Sequence, residues 1–241
     1  MRSDSRAPRQ LRTIAIVPDF IRNAEGSVLI EVGDTRVICT ATVEESVPLF
    51  LRDSGRGWLT AEYGMLPGSS PVRIPREATR GRIGGRTQEI QRLIGRSLRA
   101  ITDLEALGPR TIWLDCDVIQ ADGGTRTAAI TGGYVALALA VRRMQQRGLI
   151  GSEPLRQSVA AVSVGVIDGE VRVDLCYEED SRAEVDMNVV MTGDGQYVEV
   201  QGTAESRPFS RDQLEEMTVV AAAAIHELTA HQHAALEASL T

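Results

Sequence analysis

Two periodicities divide the chain. Apolar runs of strand length come in pairs, and stretches with helical spacing follow them. Val28 to Val32 and Arg36 to Val43 read as a hairpin turned at Gly33-Asp34. Val47 to Arg56 reads as loop, and Trp58 to Leu66 as a short ordered passage. Ile90, Leu93, Ile94, Leu98, Ile101 and Leu104 keep helical spacing, with Thr87 placed to cap that helix and Gly108-Pro109 to stop it. Thr111 to Ile119 predicts a buried strand, and the alanine-rich run Ala128 to Val141 predicts a helix that stops near Gly148. Ser158 to Ile167 and Val171 to Tyr177 pair around Asp168-Gly169; Val185 to Thr192 and Tyr197 to Gln201 pair around Gly193-Asp194-Gly195. A last helix starts at Ser210, with Gln213 set for a capping box, and runs to about His233. Paired strands followed by helices, twice over, predict an α/β (α+β) chain of mixed β-sheets flanked by helices. No linker splits it, so residues 1–241 are expected to form one domain.

Composition and charge narrow the picture. No apolar run approaches the roughly 20 residues that cross a bilayer, and Met1 to Arg6 lacks the apolar stretch of a signal peptide, so the expected compartment is the cytoplasm and no membrane partner is expected. Cys39, Cys116 and Cys176 each fall in a predicted strand, without the paired spacing of a zinc site; they read as small buried residues of a reducing compartment. The net charge of −7 argues against nonspecific coating of nucleic acid, but it is unevenly spread. All 26 basic residues are arginine. Between Arg73 and Arg110, nine arginines face four acids, a local +5, while the remainder carries −12. A basic segment on an acidic chain fits a confined site for a polyanion, although a solvated basic face would look the same. Much of that segment is Pro67 to Gly85, a long loop rich in proline, glycine and arginine; compact domains seldom keep one so long without a use.

Three segments carry candidate chemistry. Gly123-Gly124-Thr125-Arg126 joins the predicted strand to the alanine-rich helix. Glycines there let backbone N–H groups approach an anion, the helix start adds unpaired donors, and Arg126 adds a planar charged fork. The turn lacks the Gly-Lys-Ser/Thr of a nucleotide loop and suits one phosphate better than three; a plain tight turn remains the alternative. Arg86 follows Gly84-Gly85 at a second helix start, where it can converge with Arg126 on one anion. Tyr177 to Asp186 crowds five carboxylates into ten residues, and Asp180 and Asp186 meet if the chain turns between them, a pair suited to Mg²⁺. His226, His231 and His233 have no evident catalytic partner. Two arginines, a phosphate-sized turn and a carboxylate pair suit phosphoryl transfer, which needs positioning and charge neutralisation more than a strong base. A hydrolytic two-metal nuclease would call for a denser carboxylate set.

These segments resemble the bacterial ribonuclease PH family. The resemblance rests on Glu25-Gly26-Ser27, Gly57 to Pro67 (GWLTAEYGMLP), Gly85 to Ala100 (GRTQEIQRLIGRSLRA), Asp115 to Gly132 (DCDVIQADGGTRTAAITG), Tyr177 to Thr192 (YEEDSRAEVDMNVVMT) and Gln201 to Glu205 (QGTAE), spanning nearly the whole chain. It implies the ribonuclease PH-like fold, related to the second domain of ribosomal protein S5, and a ring-shaped homohexamer built as a trimer of dimers. It implies a phosphate-dependent 3′-to-5′ exoribonuclease that trims tRNA precursors and other RNA 3′ ends, releases nucleoside diphosphates, and runs in reverse as a nucleotidyltransferase. By the same resemblance inorganic phosphate sits on Arg86, Gly124, Thr125 and Arg126. Asp180 and Asp186 are the catalytic, metal-associated pair, with Mg²⁺ as the expected metal. Arg73 and Arg76, with Arg80 and Arg82 nearby, are expected to contact RNA. The chain departs from the family in two places: Gly68-Ser69-Ser70 stands where Arg-Ala-Thr is usual, and Asp4-Ser5-Arg6 where Asp-Gly-Arg is usual. The first departure predicts an altered grip on tRNA. The alternative reading is a noncatalytic RNA-binding subunit of an exosome-like ring.

Overall fold

The structure, a computed structural model, describes residues 2–240, apart from the side chains of Ala78 and Arg80. Among the described residues nine strands form two sheets. The first contains β1 (Ile14–Pro18), β2 (Gly26–Val32), β3 (Thr35–Glu44), β4 (Trp58–Met65) and β5 (Thr111–Gln120) in the order β1-β2-β3-β5-β4, antiparallel except for the parallel pair β4 and β5. The second contains β6 (Val159–Ile167), β7 (Glu170–Val173), β8 (Val185–Thr192) and β9 (Tyr197–Ala204), antiparallel throughout, in the order β7-β6-β8-β9.

The α-helices among the described residues are α1 (Gly85–Ala100), α2 (Leu104–Leu107), α3 (Thr125–Gln146), α4 (Tyr177–Asp180) and α5 (Arg211–Ala238). The alanine-rich run becomes α3, which is buried from Thr127 to Leu137 on every side. A helix apolar all round must be covered all round. It packs on β2, β3 and β5 of the first sheet and on β6 of the second. Small residues let the layers close: a Cβ on Gly26 of β2 would collide with the backbone of Ala136 and lie 2.8 Å from the Ala140 nitrogen. α1 covers β4 with Ile90, Leu93, Ile94 and Leu98, and α5 covers β6, β7 and β8 with Met217, Ala221 and Ile225.

Several expectations need correction. β1 was not evident in the sequence, because it is a five-residue edge strand ending at Pro18 and held by β2 alone. Gly84, not Thr87, stands at the start of α1; the Thr87 hydroxyl donates instead to Glu77 at 2.9 Å, tying α1 to a 3₁₀ turn over Glu77–Arg80. α1 also ends before Leu104. Asp103 N–H donates to the Pro154 carbonyl, Asp103 caps the separate α2, and Gly108 (φ 70°) closes it. The strand predicted through Tyr177 stops at Val173, because Asp174 turns into the left-handed region (φ 54°) and Tyr177–Asp180 coils into one helical turn. Cys176 therefore heads α4 rather than lying in a strand, but all three cysteines are buried and free as expected. β9 runs on to Ala204 and α5 to Ala238. Ser5, in the place of the usual glycine, adopts φ 64°.

Candidate functional site

The loop from β5 to α3 carries two consecutive left-handed glycines, Gly123 (φ 72°) and Gly124 (φ 63°), a conformation that other residues reach only at a cost. Gly124 heads α3 without a side-chain cap, so the first N–H groups of a 22-residue helix face outward at its positive end. Four residues brace the turn. The Thr35 hydroxyl donates to the Gly123 carbonyl at 2.6 Å and accepts from the Asp122 N–H at 2.9 Å. Arg12 donates to the Asp122 carbonyl at 2.5 Å while its remaining guanidinium nitrogens grip the buried Asp174. Asp122 in turn accepts from the Tyr177 N–H at 3.0 Å, which fastens the turn to α4. On the far side the Tyr63 hydroxyl meets the Thr125 hydroxyl at 2.8 Å.

A cavity of about 430 Å³ opens in front of this turn. All six residues expected to handle phosphate and metal line it: Arg86, Gly124, Thr125, Arg126, Asp180 and Asp186. They come from α1, the start of α3, α4 and β8. The cavity therefore draws on both sheets' neighbourhoods, and neither half of the chain builds it alone. Met65, Ser70, Pro71 and Val72 form its rim, so the unusual Gly68-Ser69-Ser70 segment borders the site.

Charge in the cavity is unbalanced in an informative way. Burial pushes the Asp186 carboxyl up to about 6, Asp180 adds to that rise, and Arg126 and Arg86 oppose it. Burial likewise raises Asp180 against the pull of Arg86 and Arg126. Arg126 is steadied from the side: its Nη1 lies 3.3 Å from Gln201 Oε1 and 3.6 Å from Glu89, and the Gln201 side-chain Nε2 donates to Glu89 at 2.8 Å. Two hard carboxylates that repel each other beside an anion-binding turn fit a divalent cation. Among the described residues no cluster of three or more acidic, histidine or cysteine ligands exists. The donor set thus suits Mg²⁺, which keeps several waters and takes phosphate oxygens, better than an ion caged by protein alone.

Arg73, Arg76 and Arg82 lie exposed on the Pro67–Gly85 loop, outside the cavity lining, without ion pairs among the described residues. Arg80 falls where side chains are not described. Sequence reasoning missed four participants. Ser163 and Asn188 line the cavity, Gln201 holds Arg126, and Tyr63 holds Thr125. Asn188 had a signal, since it stands two residues after Asp186 on one strand and so shares its face. Ser163 and Tyr63 had none, because strand register brings them in from distant positions.

The chain matches two family models, the 3′ exoribonuclease family domain 1 over residues 10–142 and domain 2 over residues 157–224. It is 60% identical over 232 residues to ribonuclease PH of Moorella thermoacetica, covering 96% of this chain and 93% of that one. It is 57% identical over 231 residues to ribonuclease PH of Syntrophomonas wolfei, covering 96% and 97%. Among solved structures it resembles rice Rrp46 (TM-score 0.79, 20% identity, 98% of this chain and 100% of that one). It also resembles a chain of the Archaeoglobus fulgidus exosome with RNA bound to the active site (TM-score 0.79, 22% identity, 95% and 91%).

Proposed function

This chain belongs to the ribonuclease PH group of the 3′ exoribonuclease family, and on that premise we propose that it shortens RNA from the 3′ end by phosphorolysis, with tRNA precursors as substrates. The observation that carries the reading is the convergence of Arg86, Gly124, Thr125, Arg126, Asp180 and Asp186 on one cavity.

Inorganic phosphate is the co-substrate. Arg86, Arg126 and the N–H groups at the start of α3 hold it and fix its orientation. One of its oxygens attacks the phosphorus of the terminal phosphodiester. The bond to the 3′ oxygen of the penultimate nucleotide breaks, that oxygen takes a proton, and a nucleoside diphosphate leaves an RNA one nucleotide shorter. The reverse reaction adds a nucleotide. Little covalent work falls to the protein, since in-line placement and charge neutralisation carry most of such a reaction. Asp180 and Asp186 would hold Mg²⁺, which supplies positive charge toward the transferring phosphoryl group. Arg73, Arg76, Arg80 and Arg82 grip the RNA backbone, contacts that carry no sequence information. The whole chain acts as one catalytic unit, and six copies assemble as a trimer of dimers in the cytoplasm.

The test is 3′ trimming of RNA with and without inorganic phosphate. Nucleoside diphosphates are expected, only when phosphate is present. Arg126→Ala should remove phosphate-dependent turnover while assembly persists. Release of nucleoside monophosphates in phosphate-free buffer would sink the reading, and RNA binding without any turnover would favour a noncatalytic ring subunit.

A further inference from the structure

We propose that Ser163 and Asn188 complete the phosphate site as a pair of neutral hydrogen-bond donors, an inference that rests on the phosphorolytic reading of the cavity. Neither residue belongs to the arginine and glycine set that the sequence pointed to.

The pair is built by sheet register. Ser163 on β6 stands directly opposite Asn188 on β8, and Asn188 directly opposite Gln201 on β9. Residues opposed across antiparallel strands point to the same face. The row Ser163–Asn188–Gln201 therefore runs across three strands on the face that carries Asp186. Its outer member, Gln201, already holds Arg126. Its other two members line the cavity.

Both are buried polar groups with unused donors. Ser163 is 4% exposed and Asn188 8%. The Ser163 hydroxyl oxygen accepts from the Leu175 N–H at 3.1 Å, and its O–H finds no acceptor among the described residues. The Asn188 amide has no hydrogen-bond partner at all among them. Among the described residues the side-chain atoms sealed from solvent without a partner lie on Ser69, Thr229 and Gln232, so the Asn188 amide meets its partner from the cavity side, as a ligand-facing donor would.

Position selects the ligand. The Ser163 oxygen would lie 3.9 Å from a Cβ placed on Gly124, which sets it beside the start of α3 where phosphate is held. Asn188 is the next member of the row, between that point and the residue that steadies Arg126. Two neutral donors there would orient phosphate oxygens while drawing less electron density from the nucleophile than a third cation.

The experiment uses the full-length chain and inorganic phosphate as the probe. Isothermal calorimetry measures phosphate binding without RNA, and steady-state phosphorolysis measures KM separately for phosphate and RNA. Ser163→Ala and Asn188→Ala should each weaken phosphate binding and raise its KM by about tenfold, the scale of one hydrogen bond to a charged group. The KM for RNA should stay near wild type. Asn188→Asp, which keeps the side-chain volume and loses the donor, should bind phosphate more weakly still; it carries the test if Asn188→Ala does not fold. Wild-type phosphate affinity in both Ser163→Ala and Asn188→Asp would overturn the proposal, as would a rise confined to the KM for RNA. A wild-type protein that binds phosphate but does not consume RNA would overturn the phosphorolytic reading instead, leaving the donor pair to stand or fall on the calorimetry.

Discussion

Asp174 is the residue on which the shape of the site depends without touching the cavity. Burial by itself would push its carboxyl up, but the charges and hydrogen bonds of Arg12, with Arg6 behind it, hold it below the ordinary value of 3.8. Arg12 spends two guanidinium nitrogens and its backbone N–H on Asp174 and its third guanidinium nitrogen on the Asp122 carbonyl, so the buried pair transmits its position to the phosphate turn. A lowered carboxylate stabilises the fold above its unfolded pKa and loses that contribution as pH falls through the folded value. Asp174→Asn leaves Arg12 buried beside a neutral partner, which should cost about 3–5 kcal/mol at neutral pH. Urea unfolding of wild type and variant checks this. The gap between them should be widest near pH 7 and shrink as pH falls from about 3.8, where the unfolded chain takes up the proton, toward the lower value of the folded carboxyl. A gap that stays constant with pH would show that packing, not charge, sets the loss.

At the scale of elements, the site is a junction of two turns pressed together. The β5–α3 turn and the start of α4 meet at Gly123, where an added Cβ would fall within 2.8 Å of the Cys176 carbonyl carbon and 2.9 Å of the Tyr177 nitrogen. One turn presents phosphate donors and the other carries Asp180, so a methyl group here pushes the anion site and the carboxylate apart. Gly123→Ala should therefore keep its far-ultraviolet circular dichroism and lose about 100-fold in kcat/KM for phosphate, the usual consequence of an ångström of misplacement. Activity within a few fold of wild type would mean that the junction yields without harm. The sequence made part of this junction legible. Paired glycines between a strand-length run and an alanine-rich run mark a strand-to-helix turn, and Arg126 beside them gives the turn its chemistry. The α4 side was visible only as an acidic segment. The local signal for a helical turn at Tyr177–Asp180 is slight, Glu179 accepting from the Cys176 N–H at 3.4 Å, and the same carboxylate is pinned by Arg2, far away in the chain. Edge strand β1 was hidden by its shortness, and the pairing of Ser163 with Asn188 was hidden because register between strands leaves no periodicity in either one.

For the whole molecule the question is how a chain of net charge −7 holds RNA. Its exposed arginines on the Pro67–Gly85 loop answer part of it. Arg73, Arg76 and Arg82 carry charge into solvent beyond the cavity, with no carboxylate partners among the described residues to neutralise them. Gly68, where the family usually has arginine, removes one cation from the same loop. In a ring, six such loops would surround the openings to the cavities, concentrating positive potential that the net charge of one copy conceals. Each arginine that neutralises a phosphate of a single strand adds about 0.7 to the slope of log affinity against log salt. The combined variant Arg73→Ala, Arg76→Ala, Arg82→Ala should lower that slope by about 2, weaken RNA binding across sequences alike, and leave phosphate binding unchanged. RNA affinity titrated at several salt concentrations checks the slope. Light scattering of wild type and variant should give the same mass, near six times the 26.1 kDa of one chain. An unchanged slope at that mass would move the RNA path off this loop. A variant that fell to single chains would show instead that these arginines hold the ring together.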